Sequence, residues 1–230
     1  MNRFDAVIMD FGDTLATLKP SKEEIARGFL LAKGFPLSLE VIKTVYRMVD
    51  YSHKQSAINL KKIKEKEKFL IQFNRELFKV LGLADASKNW AEELFSLFKE
   101  KKNWVLFPEI IGCLEKIKLS GMKAAVLANW DIHLKALVKN LRIEIFFSEV
   151  VSSQEIGIEK PDPKIFLYLL ERMGIQASMS LYVGNEYETD VIGSRGAGMT
   201  PVLIDRYNFW PVADCTKFKD MANLISWLKL

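Results

Sequence analysis

At 230 residues the chain is long enough to bury a substantial apolar core, as one large domain or as a medium domain carrying a smaller one. Hydrophobic residues make up 49% and charged residues 27%, proportions that exclude disordered, collagen-like and membrane-spanning classes. The 33 Lys plus Arg against 29 Asp plus Glu leave a formal charge of +4, too mild for a nucleic-acid surface but enough to help attract a small anion.

The first predicted element is a buried strand over residues 4–9, a short apolar run that breaks at Asp10, Phe11, Gly12, Asp13 and Thr14 into a polar loop. From residue 21 to 102 the pattern changes to long amphipathic stretches, with glycine scarce after Gly34, which predicts a helical block. Within it the mixed run 61–68 alternates lysines with Glu65 and Glu67, while Leu60, Ile63, Leu70, Phe73 and Leu77 recur at roughly helical spacing. We read this run as the solvated face of an amphipathic helix.

Past Pro108 strands and helices alternate. Helices are predicted over 108–119, 132–141, 163–173 and 189–197, and strands over 124–127, 147–151, 181–183 and 201–204. Repeated strand–helix units predict an α/β fold with a parallel sheet covered on both faces. The helical block then reads as an insertion after the first strand. The expected division is a core of residues 1–15 and 104–230 and a helical cap domain of residues 16–103, joined near 15–20 and 101–107.

In an open parallel sheet, ligands bind beyond the carboxyl ends of the strands. The loops expected there hold Asp10 to Thr14, Asn129 to Asp131, Lys160, and Asn185 to Asp190. A carboxylate can attack phosphorus or carbon and form a covalent ester, dividing one hard hydrolysis into two easier steps. Against a phosphate dianion such an attack needs a divalent cation and a lysine fixed beforehand. Asp10, Asp190 and Lys160 are residues of those types.

At these positions four motifs resemble those of the haloacid-dehalogenase-like hydrolase superfamily, in order and across the whole expected core. Asp10-Phe11-Gly12-Asp13-Thr14-Leu15 resembles the first and Leu127-Ala128-Asn129-Trp130-Asp131 the second. The stretch from Gly157 through Lys160 to Phe166 is similar to the lysine motif, and Val183-Gly184-Asn185 through Asp190 to Met199 to the fourth. The resemblance implies a Rossmann-like core with a helical cap between the first two motifs. It also implies Asp10 as nucleophile and Lys160 as the group that steadies Asp10 and the transferred group. Asp10, the Gly12 backbone carbonyl, Asn185 and Asp190 would hold Mg²⁺, and Ala128, Asn129 and Trp130 would line the substrate position.

Three positions depart from that pattern. Gly12 stands where family phosphatases carry a second aspartate as general acid and base, and we read the neighbouring Asp13 as a turn residue. Ala128 lacks the usual hydroxyl, leaving only backbone groups there. Asn185 replaces an anionic metal ligand by a neutral amide, so Mg²⁺ should bind more weakly unless Glu186 substitutes.

The leading expectation is a Mg²⁺-dependent phosphatase for a small phosphorylated metabolite. The alternatives are a 2-haloacid dehalogenase, favoured by Asn185 but opposed by the absence of tyrosine at Gly12, and a catalytically silent binding protein. A small phosphorylated or otherwise anionic substrate is the expected partner, with neither nucleic acid nor membrane. The sequence carries no signal for oligomeric state, nor one that selects among Lys22, Arg27 and Tyr51 for substrate choice.

The remaining singled-out residues have structural readings. His53 and His133 are expected at the surface; Trp104, Phe107, Phe146, Phe147 and Phe166 in the core; Pro161 and Pro163 setting a loop and starting a helix. Cys113 and Cys215 lie far apart without metal-ligand spacing, and no segment looks like a secretion signal. Reduced thiols and a cytoplasmic location are expected.

Overall fold

The computed structural model of the chain describes residues 4–57, 63–83, 89–100 and 104–230. In chain order β1 (Ala6–Met9) and β2 (Ala16–Leu18) are followed by α1 (Lys22–Ala32), α2 (Leu39–Ala57), α3 (Ile63–Val80) and α4 (Trp90–Glu100). Then come β3 (Trp104–Leu106), α5 (Ile110–Leu119), β4 (Lys123–Ala128), α6 (Leu134–Asn140), β5 (Glu149–Ser152), α7 (Ser153–Ile156) and α8 (Pro163–Met173). The last stretch holds β6 (Ser180–Gly184), a π-helix over Tyr187–Ile192, α9 (Gly193–Gly196), β7 (Thr200–Ile204), β8 (Thr216–Phe218) and α10 (Met221–Leu228). The chain divides into two compact units, Met1–Thr17 with Trp104–Leu230, and Leu18–Asn103.

The first unit is a Rossmann-like layer of six parallel strands in the order β5-β4-β1-β6-β7-β8, with helices on both faces. The central strand β1 shows why no polar residue interrupts it. Alternate side chains of a strand point to opposite faces. Val7 and Met9 join the apolar cluster that includes residues of α5, α6 and α10, and Ala6 and Ile8 join the one built on α8. Both faces are covered, so the whole strand is apolar. From β1 the chain crosses to β4 on one side and later to β6 on the other, so the loops after these three strands meet at the switch point of the sheet.

Helix α8 is sharply bounded. Asp162 caps it by accepting from the Lys164 N–H at 3.0 Å, Pro163 opens it, and Gly174 closes it in the left-handed conformation at φ 64°. Its buried face, Ile165, Phe166, Leu169, Leu170 and Met173, packs on the sheet and anchors the loop that carries Lys160.

Several expectations are corrected. Residues 189–197 form a π-helix followed by the short α9. The Glu186 carbonyl accepts from both Asp190 and Val191, which widens the turn. The strand expected at 147–151 begins at Glu149, after a 3₁₀ turn over Glu144–Phe146. The connecting stretches at 15–20 and 101–107 contain β2 and β3, which pair as a small separate sheet. Phe166 is a core residue, but Trp104, Phe107, Phe146 and Phe147 are only partly buried at the margin of the cluster that includes α5.

The second unit is helical. Ile25, Phe29, Leu30, Ile42, Val45, Leu77, Phe78 and Leu94 belong to its core, which draws on all four helices. Ser21 and Glu24 form a reciprocal capping box at the start of α1. Lys22 and Arg27 are exposed on that helix. Leu60, and the side chains of Tyr51, His53, Ile63 and Glu65, lie outside the described residues. No helix among the described residues is long and apolar enough to cross a membrane.

Candidate active site

Asp10 is the first residue past β1, and its N–H donates to the Val183 carbonyl of β6 at 2.8 Å. The β1–β6 pairing therefore extends one residue beyond the strand and fixes the carboxylate at the sheet edge. Lys160 arrives from the loop before α8. The Asn129 side chain clamps that loop: its Oδ1 accepts from the Lys160 N–H at 2.8 Å and its Nδ2 donates to the Lys160 carbonyl at 2.9 Å. Asn129, expected beside the substrate, thus spends its side chain on the lysine backbone.

The ammonium of Lys160 donates to Asp10 Oδ1 at 2.7 Å, Asp190 Oδ1 at 2.6 Å and the Tyr182 hydroxyl at 2.8 Å. All four side chains are buried. Burial opposes the charge on Lys160, but the carboxylates of Asp10 and Asp190 outweigh it and hold the ammonium well above its ordinary range. One cation serves two carboxylates. Burial pushes the Asp10 carboxyl up, Lys160 pulls it down and Asp190 pushes it up again, leaving it raised from 3.8 to about 6.

Asp190 reaches this point because the π-helix turns it back toward β6. Its Oδ2 accepts from the Glu186 N–H at 2.9 Å, and its residue is 1% exposed. Gly184 makes the fit possible. A Cβ at that position would collide with the Asp190 carboxylate. Gly184→Ala is therefore expected to displace Asp190 and destabilise the protein by about 1–3 kcal/mol. A denaturant melt indistinguishable from that of the parent chain would contradict this packing.

The loop after β1 is a tight turn. Asp13 adopts φ 55°, a left-handed conformation that aspartate tolerates, and its Oδ1 accepts from Thr17 Oγ1 at 2.9 Å. Arg206, beyond β7, donates to the Asp13 and Thr14 carbonyls at 3.3 and 2.9 Å and pairs with Glu109 at 2.7 Å. Thr14 Oγ1 in turn donates to Asn185 Oδ1 at 3.2 Å, and Trp210 Nε1 donates to the Asn185 carbonyl at 3.3 Å. Trp104 and Trp130 flank Gly12, where a Cβ would sit 3.4 Å from Trp130 and 3.7 Å from Trp104. Both indoles pack on Phe11, and Ala128 is buried at the end of β4.

Thus the structure sets Lys160 in contact with both Asp10 and Asp190, while Asn185 is bonded to Thr14 of the loop after β1 and Gly12 lies beside the two indoles. His133 is exposed outside this group, its N–H bonded to Asp131 Oδ1 at 2.9 Å. Tyr182 is the residue that sequence reasoning missed. Its signal was a phenol in a strand otherwise free of large polar groups, since a buried tyrosine hydroxyl requires a partner.

The donor set suits a hard cation. Asp10, Asp190 and Asn185 offer oxygen only, and Lys160 leaves one of the two carboxylate charges uncompensated. Among the described residues no group of three or more His, Cys, Asp or Glu side chains is arranged to hold a metal ion. A cation here would therefore rest on two carboxylates and neutral oxygens.

The parallel sheet, the helical unit between its first strands and the charges at its carboxyl edge define a doubly covered α/β enzyme domain with a helical insert. The model of the haloacid dehalogenase-like hydrolases matches residues 4–198, and the chain belongs to that family. Haloacid dehalogenase-like hydrolase domain-containing protein 3 of Danio rerio is 28% identical over 204 residues, covering 87% of this chain and 84% of that protein. The glyceraldehyde 3-phosphate phosphatase of Methanothermobacter thermautotrophicus is 39% identical over 101 residues, 43% of this chain and 44% of the enzyme. The crystal structure of the Bacillus subtilis hydrolase YfnB bound to magnesium superposes with a TM-score of 0.74 at 17% identity, covering 99% of this chain and 100% of that one.

Proposed function

We propose that this hydrolase is a magnesium-dependent phosphatase acting on a small phosphorylated metabolite, with Asp10 as nucleophile. The observation that carries the reading is the buried ammonium of Lys160 held 2.7 Å from Asp10 and 2.6 Å from Asp190. Similarity over part of the chain to a glyceraldehyde 3-phosphate phosphatase supports it. In this reading residues 1–15 and 104–230 form the catalytic core and residues 16–103 its cap. The two free cysteines suit a cytoplasmic, reducing compartment.

The reaction has two steps. An oxygen of Asp10 bonds to phosphorus as the ester P–O bond breaks, and the leaving oxygen takes a proton from solvent. Water then attacks the aspartyl-phosphate, releasing phosphate and restoring the carboxylate. Lys160 keeps Asp10 oriented, and the backbone N–H groups of Ala128 and Asn129, with the Trp130 ring, line the substrate position. Asp10, the Gly12 carbonyl, Asn185 and Asp190 would hold magnesium, which when bound supplies positive charge against the repulsion between carboxylate and phosphate.

Asp13 is tied to Thr17, which leaves the leaving group without a positioned acid. A positioned acid contributes about two to four orders of magnitude, so p-nitrophenyl phosphate should be hydrolysed faster than alkyl phosphates by a gap of that order. Turnover should vanish in chelator, and calorimetry should show magnesium binding that tightens in Asn185→Asp. Turnover of 2-chloropropionate in chelator, with no phosphate ester hydrolysed, would instead establish a dehalogenase.

A further inference from the structure

The ammonium of Lys160 has three hydrogens, and each meets one oxygen. Two of these oxygens belong to Asp10 and Asp190. The third is the phenol oxygen of Tyr182, on the strand β6 whose Val183 carbonyl also holds the Asp10 N–H. Tyr182 donates its own hydrogen to the Leu127 carbonyl at 2.8 Å. With that hydrogen committed, the phenol presents only lone pairs to the lysine and can only accept.

The phenol cannot easily move. Tyr182 is fully buried, its ring packs edge-on against Phe166 with centroids 4.9 Å apart, and its backbone lies in β6 opposite Ile8 of β1. The acceptor of its hydrogen is in β4, the lysine is in the loop before α8, and Asp10 follows β1. One hydroxyl therefore connects the β4 backbone to the charge that joins the two carboxylates.

We propose that Tyr182 is a positioning residue for Lys160. By occupying the third hydrogen of the ammonium it fixes the rotation of that group about the Cε–Nζ bond, so that the other two hydrogens point at Asp10 and Asp190. Tyr182 touches no reacting atom and acts only through the lysine. Its effect on turnover rests on the phosphatase reading, whereas the hydrogen bond itself stands apart from any substrate.

Tyr182→Phe keeps the ring and removes the acceptor. In the magnesium-loaded enzyme hydrolysing p-nitrophenyl phosphate, kcat should fall about 10- to 100-fold while KM changes by less than about two-fold, because the loss falls on charge orientation. A purely structural role would lower the melting temperature and leave kcat of the folded protein unchanged. A second readout needs no substrate. In ¹⁵N-lysine spectra, wild type should show one ammonium resonance with slowly exchanging hydrogens, assigned by its absence in Lys160→Met. In Tyr182→Phe that exchange should be faster.

Unchanged kcat and unchanged exchange in folded Tyr182→Phe would overturn the proposal. So would the absence of any slowly exchanging ammonium in wild type, a result that stands even if the variant does not fold. If wild type hydrolyses no phosphate ester, the phosphatase reading fails, and the exchange measurement still decides the role of Tyr182.

Discussion

Asp10→Asn is expected to abolish phosphatase turnover, by at least about 10⁴-fold, and to leave the protein folded. A neutral amide cannot form the aspartyl-phosphate, and losing a nucleophile costs as much as losing the chemical step. The fold should tolerate the change because the carboxylate is poorly accommodated to begin with. Its carboxyl is raised to about 6 by burial and by Asp190, against the pull of Lys160. Between the ordinary 3.8 and about 6 the folded protein keeps a proton that the unfolded chain has released. The stability contributed by the protonated form is present below that window and lost as pH rises through it. Asparagine has no such loss, which offsets the bond that Lys160 gives up. In chelator at neutral pH, denaturant melts of the variant and the parent should agree within about 2 kcal/mol. Retained turnover in a folded variant would remove Asp10 from the nucleophile's place.

Lys160→Met should do more damage to the fold. The substitution leaves Asp10 and Asp190, both buried, without the cation they share. Breaking a buried ion pair by deleting one partner typically costs about 3–5 kcal/mol, and that is the loss expected at neutral pH without metal. Turnover should fall at least about 10³-fold as the fixed positive charge disappears. The pH dependence separates this cause from a packing defect. Lys160 is the influence that lowers the Asp10 carboxyl, so its removal moves that group further up. The folded variant then gains a proton that the unfolded chain lacks, and its stability deficit should shrink as pH falls from 8 to 5. A deficit that stays constant across that range would mean that charge is not the cause.

Much of the core could be read from the residues because each layer has its own signature. The run ending at Asp10 is apolar throughout because both faces of β1 are covered, and its abrupt end marks the sheet edge. Lys160 was legible from its loop at the expected carboxyl edge of the sheet and from the likeness of the stretch Gly157 to Phe166 to the lysine motif. What escaped was whatever depends on distant partners. The clamp of Asn129 on the Lys160 backbone spans 31 positions, and the Arg206 bonds to the Asp13 and Thr14 carbonyls span 193 and 192. Neither leaves a periodic trace. Strands β2, β3 and β8 have three residues each, too few for alternation to show. The π-helix arises from the position of one carbonyl, that of Glu186, and residues 189–197 alone look like ordinary helix. Tyr182 was hidden by its strand, where an aromatic ring reads as packing and only the fold reveals what the hydroxyl meets.

The central claim is that Asp10 carries the phosphoryl group between the two steps. It is tested by mixing the magnesium-loaded protein with p-nitrophenyl phosphate, quenching in acid during turnover, and mapping the peptides by mass spectrometry. The account predicts one added phosphoryl group on the peptide containing Asp10, base-labile as an acyl phosphate must be, and absent from Asp10→Asn. Steady hydrolysis with no phosphoryl group on Asp10, or with the group on another residue, would contradict it.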